Sequence, residues 1–148
     1  MKILVSACLL GIACRYDGNG AQNREILSFI DSCFFVPVCP EIMGGLPTPR
    51  DPAEIIGGRV KTIRGIDVTE NFERGALQAV NIALLYGCMG ALLKERSPSC
   101  GAGMVYDGSF SGKMVPGEGI AAGLLRRNGI KVIGESSVEE LKRWIFGG

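Results

Sequence analysis

Lys2-Ile3-Leu4-Val5-Ser6-Ala7-Cys8 opens the chain with a short apolar run that ends on a cysteine, and Gly11 follows three residues later. The run predicts a strand over Lys2–Ala7. A glycine-rich loop over 11–20, with the turn pairs Asp17-Gly18 and Asn19-Gly20, closes it. Working outward, Phe34-Phe35-Val36-Pro37-Val38 and then Gly90-Ala91-Leu92-Leu93-Lys94 read as further strands, and Ile130-Lys131-Val132-Ile133 as a fourth. Pro37 fits least well, because proline cannot donate to a ladder.

Helical patterns lie between and after these strands. Arg24–Ser32 places Ile26, Leu27 and Ile30 at helical spacing. Thr69 reads as an N-cap to a helix whose stripe is Phe72, Ala76, Val80, Ala83 and Leu84, with Gly87 as its stop. A third helix is expected over Gly117–Asn128, ended by Gly129. The last has Ser136 or Ser137 as cap, Glu139 or Glu140 completing a capping box, and Val138, Leu141, Trp144 and Ile145 facing inward. Residues 39–66 read as a long irregular segment, which is uncommon unless it serves a function. Within the second long loop, Met104–Phe110 reads as a small hairpin around Asp107-Gly108.

Four-fold alternation of strand and helix predicts a parallel sheet covered on both faces through right-handed crossovers. The expected fold is α/β: a single Rossmann-like, three-layer domain over 1–148, with a mainly parallel four-stranded sheet and a small hairpin insertion.

Composition narrows the function. An apolar fraction of 47% with 21% charged residues describes a globular chain, and a net charge of +1 offers no basic face for duplex nucleic acid. No apolar run approaches the roughly 18 residues of a membrane span, and the first run is too short for a signal peptide. A cytoplasmic location is expected. Histidine is absent, which removes Ser–His and Cys–His nucleophile pairs and every histidine-ligated zinc site.

The chain nevertheless holds six cysteines. Cys8, Cys39 and Cys100 each follow a predicted strand, and in open α/β sheets ligands bind beyond the carboxyl ends of strands. Separations of 31 and 61 residues are therefore compatible with one site. Three thiolates without histidine suit a soft metal or an iron–sulfur cluster, and three ligands leave a coordination position open. Cys33 and Cys88 end apolar segments and read as small hydrophobes. Cys14 reads as a bystander, with a fourth ligand or sulfur acceptor as the other choice. Glu41 lies two residues from Cys39, and Ser97 and Ser99 precede Cys100. A carboxylate can move protons and hydroxyls can donate to a developing anion, although Ser-Pro-Ser also makes a good turn, the reading preferred for Ser99.

The stretches Ser6-Ala7-Cys8-Leu9-Leu10-Gly11, Arg15-Tyr16-Asp17-Gly18, Cys39-Pro40-Glu41, Gly44-Gly45-Leu46, Pro49-Arg50 and Lys94-Glu95-Arg96-Ser97-Pro98-Ser99-Cys100-Gly101 together resemble the thiouracil desulfurase family. The resemblance spans most of the chain, with the motifs in the expected order. It implies a [4Fe-4S] cluster on Cys8, Cys39 and Cys100, with Glu41 as catalytic carboxylate and Ser97 as catalytic serine. The implied reaction, hydrolase or lyase in type, removes sulfur as hydrosulfide from a small thiolated base such as 2-thiouracil, or a related nucleoside. Carbon–sulfur cleavage takes place without net electron transfer, at an open iron. Arg15 and Arg50 are expected to bind substrate, to lie near the cluster's charge, or to be solvated. Three rivals stand beside this reading: a structural or storage metal site, a metal-free persulfide or redox thiol protein, and, lowest, a nucleotide-binding module.

Overall fold

The computed structural model describes residues 1–147. The N-terminal run forms β1 (Lys2–Ser6), whose side chains alternate between two cores: Leu4 faces one and Ile3 and Val5 the other. β1 pairs in parallel with β2 (Phe34–Val38) on one side, joined through the short α1 (Arg24–Leu27). The chain continues through a one-turn helix α2 (Pro40–Met43), the antiparallel hairpin β3 (Ala53–Ile56) and β4 (Arg59–Thr62), and the long helix α3 (Thr69–Tyr86). It then returns as β5 (Gly90–Leu93) on the other side of β1. A second hairpin, β6 (Met104–Tyr106) and β7 (Met114–Pro116), precedes α4 (Ile120–Arg127), β8 (Lys131–Gly134) and α5 (Val138–Phe146).

The sheet order is β2-β1-β5-β8, all parallel. One face buries Leu4, Ala91 and Leu93 under α3 and α4; the other buries Ile3, Val5 and Leu92 with α1 and α5. The predicted α/β architecture is therefore present, in three layers. β1 sends its successor to one side and receives β5 on the other, so the order reverses beside β1. Ligand sites form at such a reversal.

Pro37 is tolerated because β2 is an edge strand. The predicted helix over Arg24–Ser32 is only one turn, followed by a 3-10 turn over Ile30–Ser32; Ser28 Oγ donates to Glu25 O at 2.6 Å, a local bond that competes with helix continuation. Thr69 is no cap: its hydroxyl accepts from Val60 N at 2.8 Å, while Asp67 Oδ1 accepts from Thr69 N. Leu84 is exposed, since α3 covers the sheet with a narrower stripe than expected. The predicted capping box at α5 is absent, because Ser136 bonds to Glu95 instead. The 39–66 segment holds regular structure after all, in α2 and a Gly57-Gly58 hairpin whose two glycines both have positive φ, as a tight hairpin turn requires. The Asp107-Gly108 turn opens a longer loop than predicted, with the return strand at Met114. No helix among the described residues is long and apolar enough to cross a membrane.

Candidate active site at the carboxyl edge of the sheet

Beyond the ends of β1, β2 and β5 lies a cavity of about 480 Å³, and Cys8, Cys39 and Cys100 all line it. Each sulfur arrives for a local reason. β1 passes into a 3-10 turn over Ala7–Leu10, which Gly11 closes at φ +96, and Cys8 rides on that turn. Cys39 is the N-cap of α2, where Pro40 occupies the first helical position and needs no N–H partner. Cys100 ends a loop after β5 that is folded around Ser97: Ser97 Oγ accepts from Ser99 N and from Cys100 N, each at 3.1 Å. Ser6 Oγ accepts from Lys94 N at 2.9 Å, which ties the ends of β1 and β5 together.

Cys14, read from the sequence as a bystander, lines the same cavity. It is buried, and Cys39 Sγ donates to Cys14 O at 3.7 Å. The loop over 11–20 folds back on the end of β1, with Ala21 N donating to Cys8 O at 2.8 Å, and so delivers this fourth sulfur. Cys33 and Cys88 do not line the cavity, in line with the hydrophobic role read for them.

Burial pushes the Cys8 thiol up to about 12, with the nearby Cys100 and Cys14 thiols adding to the effect. Burial, then Cys39, raises Cys14 to about 12. Burial raises Cys100 to about 12 against the opposing hydroxyls of Ser6 and Ser99. Such groups are neutral thiols at pH 7 in the metal-free chain and poor nucleophiles, which weighs against metal-free persulfide chemistry. A metal that displaces their protons supplies the missing compensation. The donor set is thiol-only, free of disulfides, and lines one cavity, which fits an iron–sulfur cluster. Among the described residues no three Cys, Asp or Glu side chains are grouped to hold one metal ion. A single tetrahedral zinc requires sulfurs within about 4 Å of each other, whereas a cluster takes each thiolate on a separate iron.

Beside the thiols stands a buried polar network. Arg50 Nε donates to Glu41 Oε1 at 3.0 Å, with both side chains largely withdrawn from solvent. Glu41 Oε2 receives Ser99 Oγ at 2.8 Å and Ser97 Oγ at 3.4 Å, and the two hydroxyls lie 2.9 Å apart. Ser99, read from sequence as a turn residue, is thus the closer partner of the carboxylate; Cys100 Sγ, 3.7 Å away, is the alternative acceptor for its one proton. Arg50 has an architectural role as well, since Nη2 donates to Cys14 O at 2.9 Å and Nη1 reaches Pro47 O and Thr48 Oγ1. Arg15 pairs with Asp17 at 3.6 Å beside the ring of Tyr16.

Fold and site define an α/β protein that gathers thiols at the switch point of a parallel sheet, next to a carboxylate–hydroxyl relay. The chain belongs to the 2-thiouracil desulfurase family, whose sequence model matches residues 3–137. It is 43% identical to a Bacillus subtilis (strain 168) protein described as "Uncharacterized protein YbbK", over 94% of this chain and 99% of that one. It is also similar to a solved structure described as "[4Fe-4S]-dependent thiouracil desulfidase TudS", with a TM-score of 0.90, 48% identity and 95% of each chain covered.

Proposed function

We propose that this protein removes sulfur, as hydrosulfide, from a thiolated pyrimidine base such as 2-thiouracil, using a [4Fe-4S] cluster held by Cys8, Cys39 and Cys100. The observation that carries this reading is the meeting of those thiols with the Glu41–Ser99–Ser97 network in one cavity. Family membership places the chain among desulfurases, and the solved relative at 48% identity is named for that cluster. A volume of about 480 Å³ suits a small ligand. All six thiols are free, in keeping with a reducing compartment such as the cytoplasm.

When bound, the cluster supplies an iron with an open position, a soft Lewis acid suited to a thiocarbonyl sulfur. Water provides the oxygen of the product carbonyl, and sulfur leaves as hydrosulfide with no net change in electron count. Glu41 takes the water's proton at Oε2, the oxygen that Arg50 leaves free. Ser97 Oγ already accepts two backbone N–H groups, so its own proton points to an acceptor, either Ser99 Oγ or Glu41 Oε2. The hydroxyl pair therefore orients the base and passes a proton to and from the carboxylate.

Anaerobic reconstitution with iron and sulfide counting, followed by hydrosulfide release from 2-thiouracil and 4-thiouridine, tests the proposal. Cys8→Ala, Cys39→Ala and Cys100→Ala are each expected to load no cluster. Glu41→Ala is expected to keep the visible absorption and lose about a hundredfold or more in turnover. Full turnover in Glu41→Ala would remove its assigned role.

A further inference from the structure

Among the described residues two non-glycine residues have positive φ, Arg96 at +69° and Phe110 at +55°, and both line the cavity that holds the thiols. For a bulky side chain this backbone region is strained and persists only where the surroundings enforce it. At Phe110 the enforcing group is visible. Glu54, a buried carboxylate on β3, accepts both Gly108 N at 2.9 Å and Phe110 N at 3.1 Å on its single oxygen Oε1. Gly108 meanwhile sits so close to β3 that an added Cβ would lie 2.7 Å from Ile56 Cγ1 and 3.0 Å from Ile55 O. The loop between β6 and β7 is thus pinned to a different hairpin by one side chain.

Phe110 is half-buried, yet it is absent from all three hydrophobic cores. Its ring lines the cavity instead, as do Tyr16 and Tyr106. Tyr16 on the 11–20 loop, Tyr106 at the end of β6 and Phe110 on the loop that follows it give the cavity three aromatic residues. A flat heterocycle stacks on such rings, and stacking is indifferent to which oxygen of the base has been replaced by sulfur. We infer that Phe110, with Tyr16 and Tyr106, is the stacking wall for the base, and that Glu54 is the positioning residue that holds Phe110 in place. The inference rests on the proposed reading of a flat thiolated base as substrate and adds which residues select it.

The test uses cluster-loaded protein, with steady-state hydrosulfide release, calorimetric binding of 2-thiouracil and uracil, and amide hydrogen exchange over residues 107–113. Phe110→Ala is expected to raise KM and the dissociation constants about tenfold, with kcat changed less than about twofold and the cluster spectrum intact. Glu54→Ala gives the same rise together with faster exchange at Gly108 and Phe110. Glu54→Gln, which keeps an acceptor oxygen, restores wild-type KM. The double variant is no worse than Phe110→Ala alone, because both changes remove one interaction. A Phe110→Ala KM within twofold of wild type, or single effects that multiply in the double variant, overturns the inference. If Glu54→Ala does not fold, Glu54→Asp, one methylene too short to reach both amides, takes its place with the same expectation. A wild-type protein that binds both bases but releases no hydrosulfide overturns the desulfurase reading alone; one that binds neither base overturns both.

Discussion

The two oxygens of Glu41 have different partners, and the proposed chemistry rests on that difference. Oε1 is locked to Arg50, and Oε2 faces two hydroxyls beside Cys100. Removing Arg50 leaves a buried carboxylate without a counter-charge and also frees the carbonyl of Cys14. Arg50→Ala is therefore expected to lose about 3 kcal/mol of stability in denaturant titration. Arg50→Lys recovers little of it, because an ammonium cannot reproduce a fork that spans Glu41, Pro47, Thr48 and Cys14. Ser99→Ala is expected to lower turnover at least as much as Ser97→Ala, since Ser99 is the nearer donor to Oε2; stopped-flow hydrosulfide release distinguishes the two. Cys14→Ala should still load the cluster, in contrast to Cys8→Ala, when iron is counted after anaerobic reconstitution. Glu41 and the three cysteines proposed as ligands stand out in the sequence by residue type. Ser99 and Cys14 did not, since a serine in Ser-Pro-Ser and a cysteine in a glycine-rich loop have ordinary explanations until their neighbours are known.

Placement of the site depends on how closely elements approach one another. α2 lies against α3 through glycines: a Cβ on Gly75 would fall 1.7 Å from Pro40 O, and one on Gly44 2.0 Å from Asn71 O. Asn71 Nδ2 donates to Gly44 O at 2.9 Å across the same contact. Because Cys39 and Glu41 flank Pro40, this contact fixes a proposed ligand and the carboxylate together. Gly75→Ala is expected to cost about 1–3 kcal/mol through overpacking and to lower cluster occupancy, measured as iron per chain after reconstitution, although residue 75 touches neither thiol nor carboxylate. At this scale the sequence was legible where hydrophobic period and turn residues agreed, as in β1, α3 and β5. It was less legible over 39–66, where four-residue elements carry too short a pattern to be recognised; the Gly57-Gly58 pair was the one local signal for β3 and β4.

For the molecule as a whole, gathering buried thiols at one rim has a thermodynamic consequence. Cys8, Cys14 and Cys100 each rise from an ordinary 9.0 to about 12 in the folded metal-free chain. Between those limits the native state holds more protons than the unfolded state, so the stability of the cluster-free protein falls as pH rises from about 9 towards 12 and is fully present below about 9. Thermal midpoints of the cluster-free protein should drop across that window more steeply than those of a Cys8→Ala, Cys14→Ala double variant. A matching slope in the two proteins would show that other groups set the dependence. Cluster loading works in the opposite sense, because it releases the thiol protons and is favoured by rising pH.

The sequence by itself determined the order of the four sheet strands along the chain, the parallel sheet and the three strand-end cysteines, because hydrophobic period and residue chemistry are local properties. Tertiary structure alone decided that Cys14 joins those cysteines, that Ser99 rather than Ser97 is nearest to Glu41, that Arg50 is buried in an ion pair, and that Glu54 reaches across to Phe110. Each of these is a contact between segments whose separation along the chain carries no period. Such contacts are set by how closely the packed elements approach one another, which no short stretch of residues encodes.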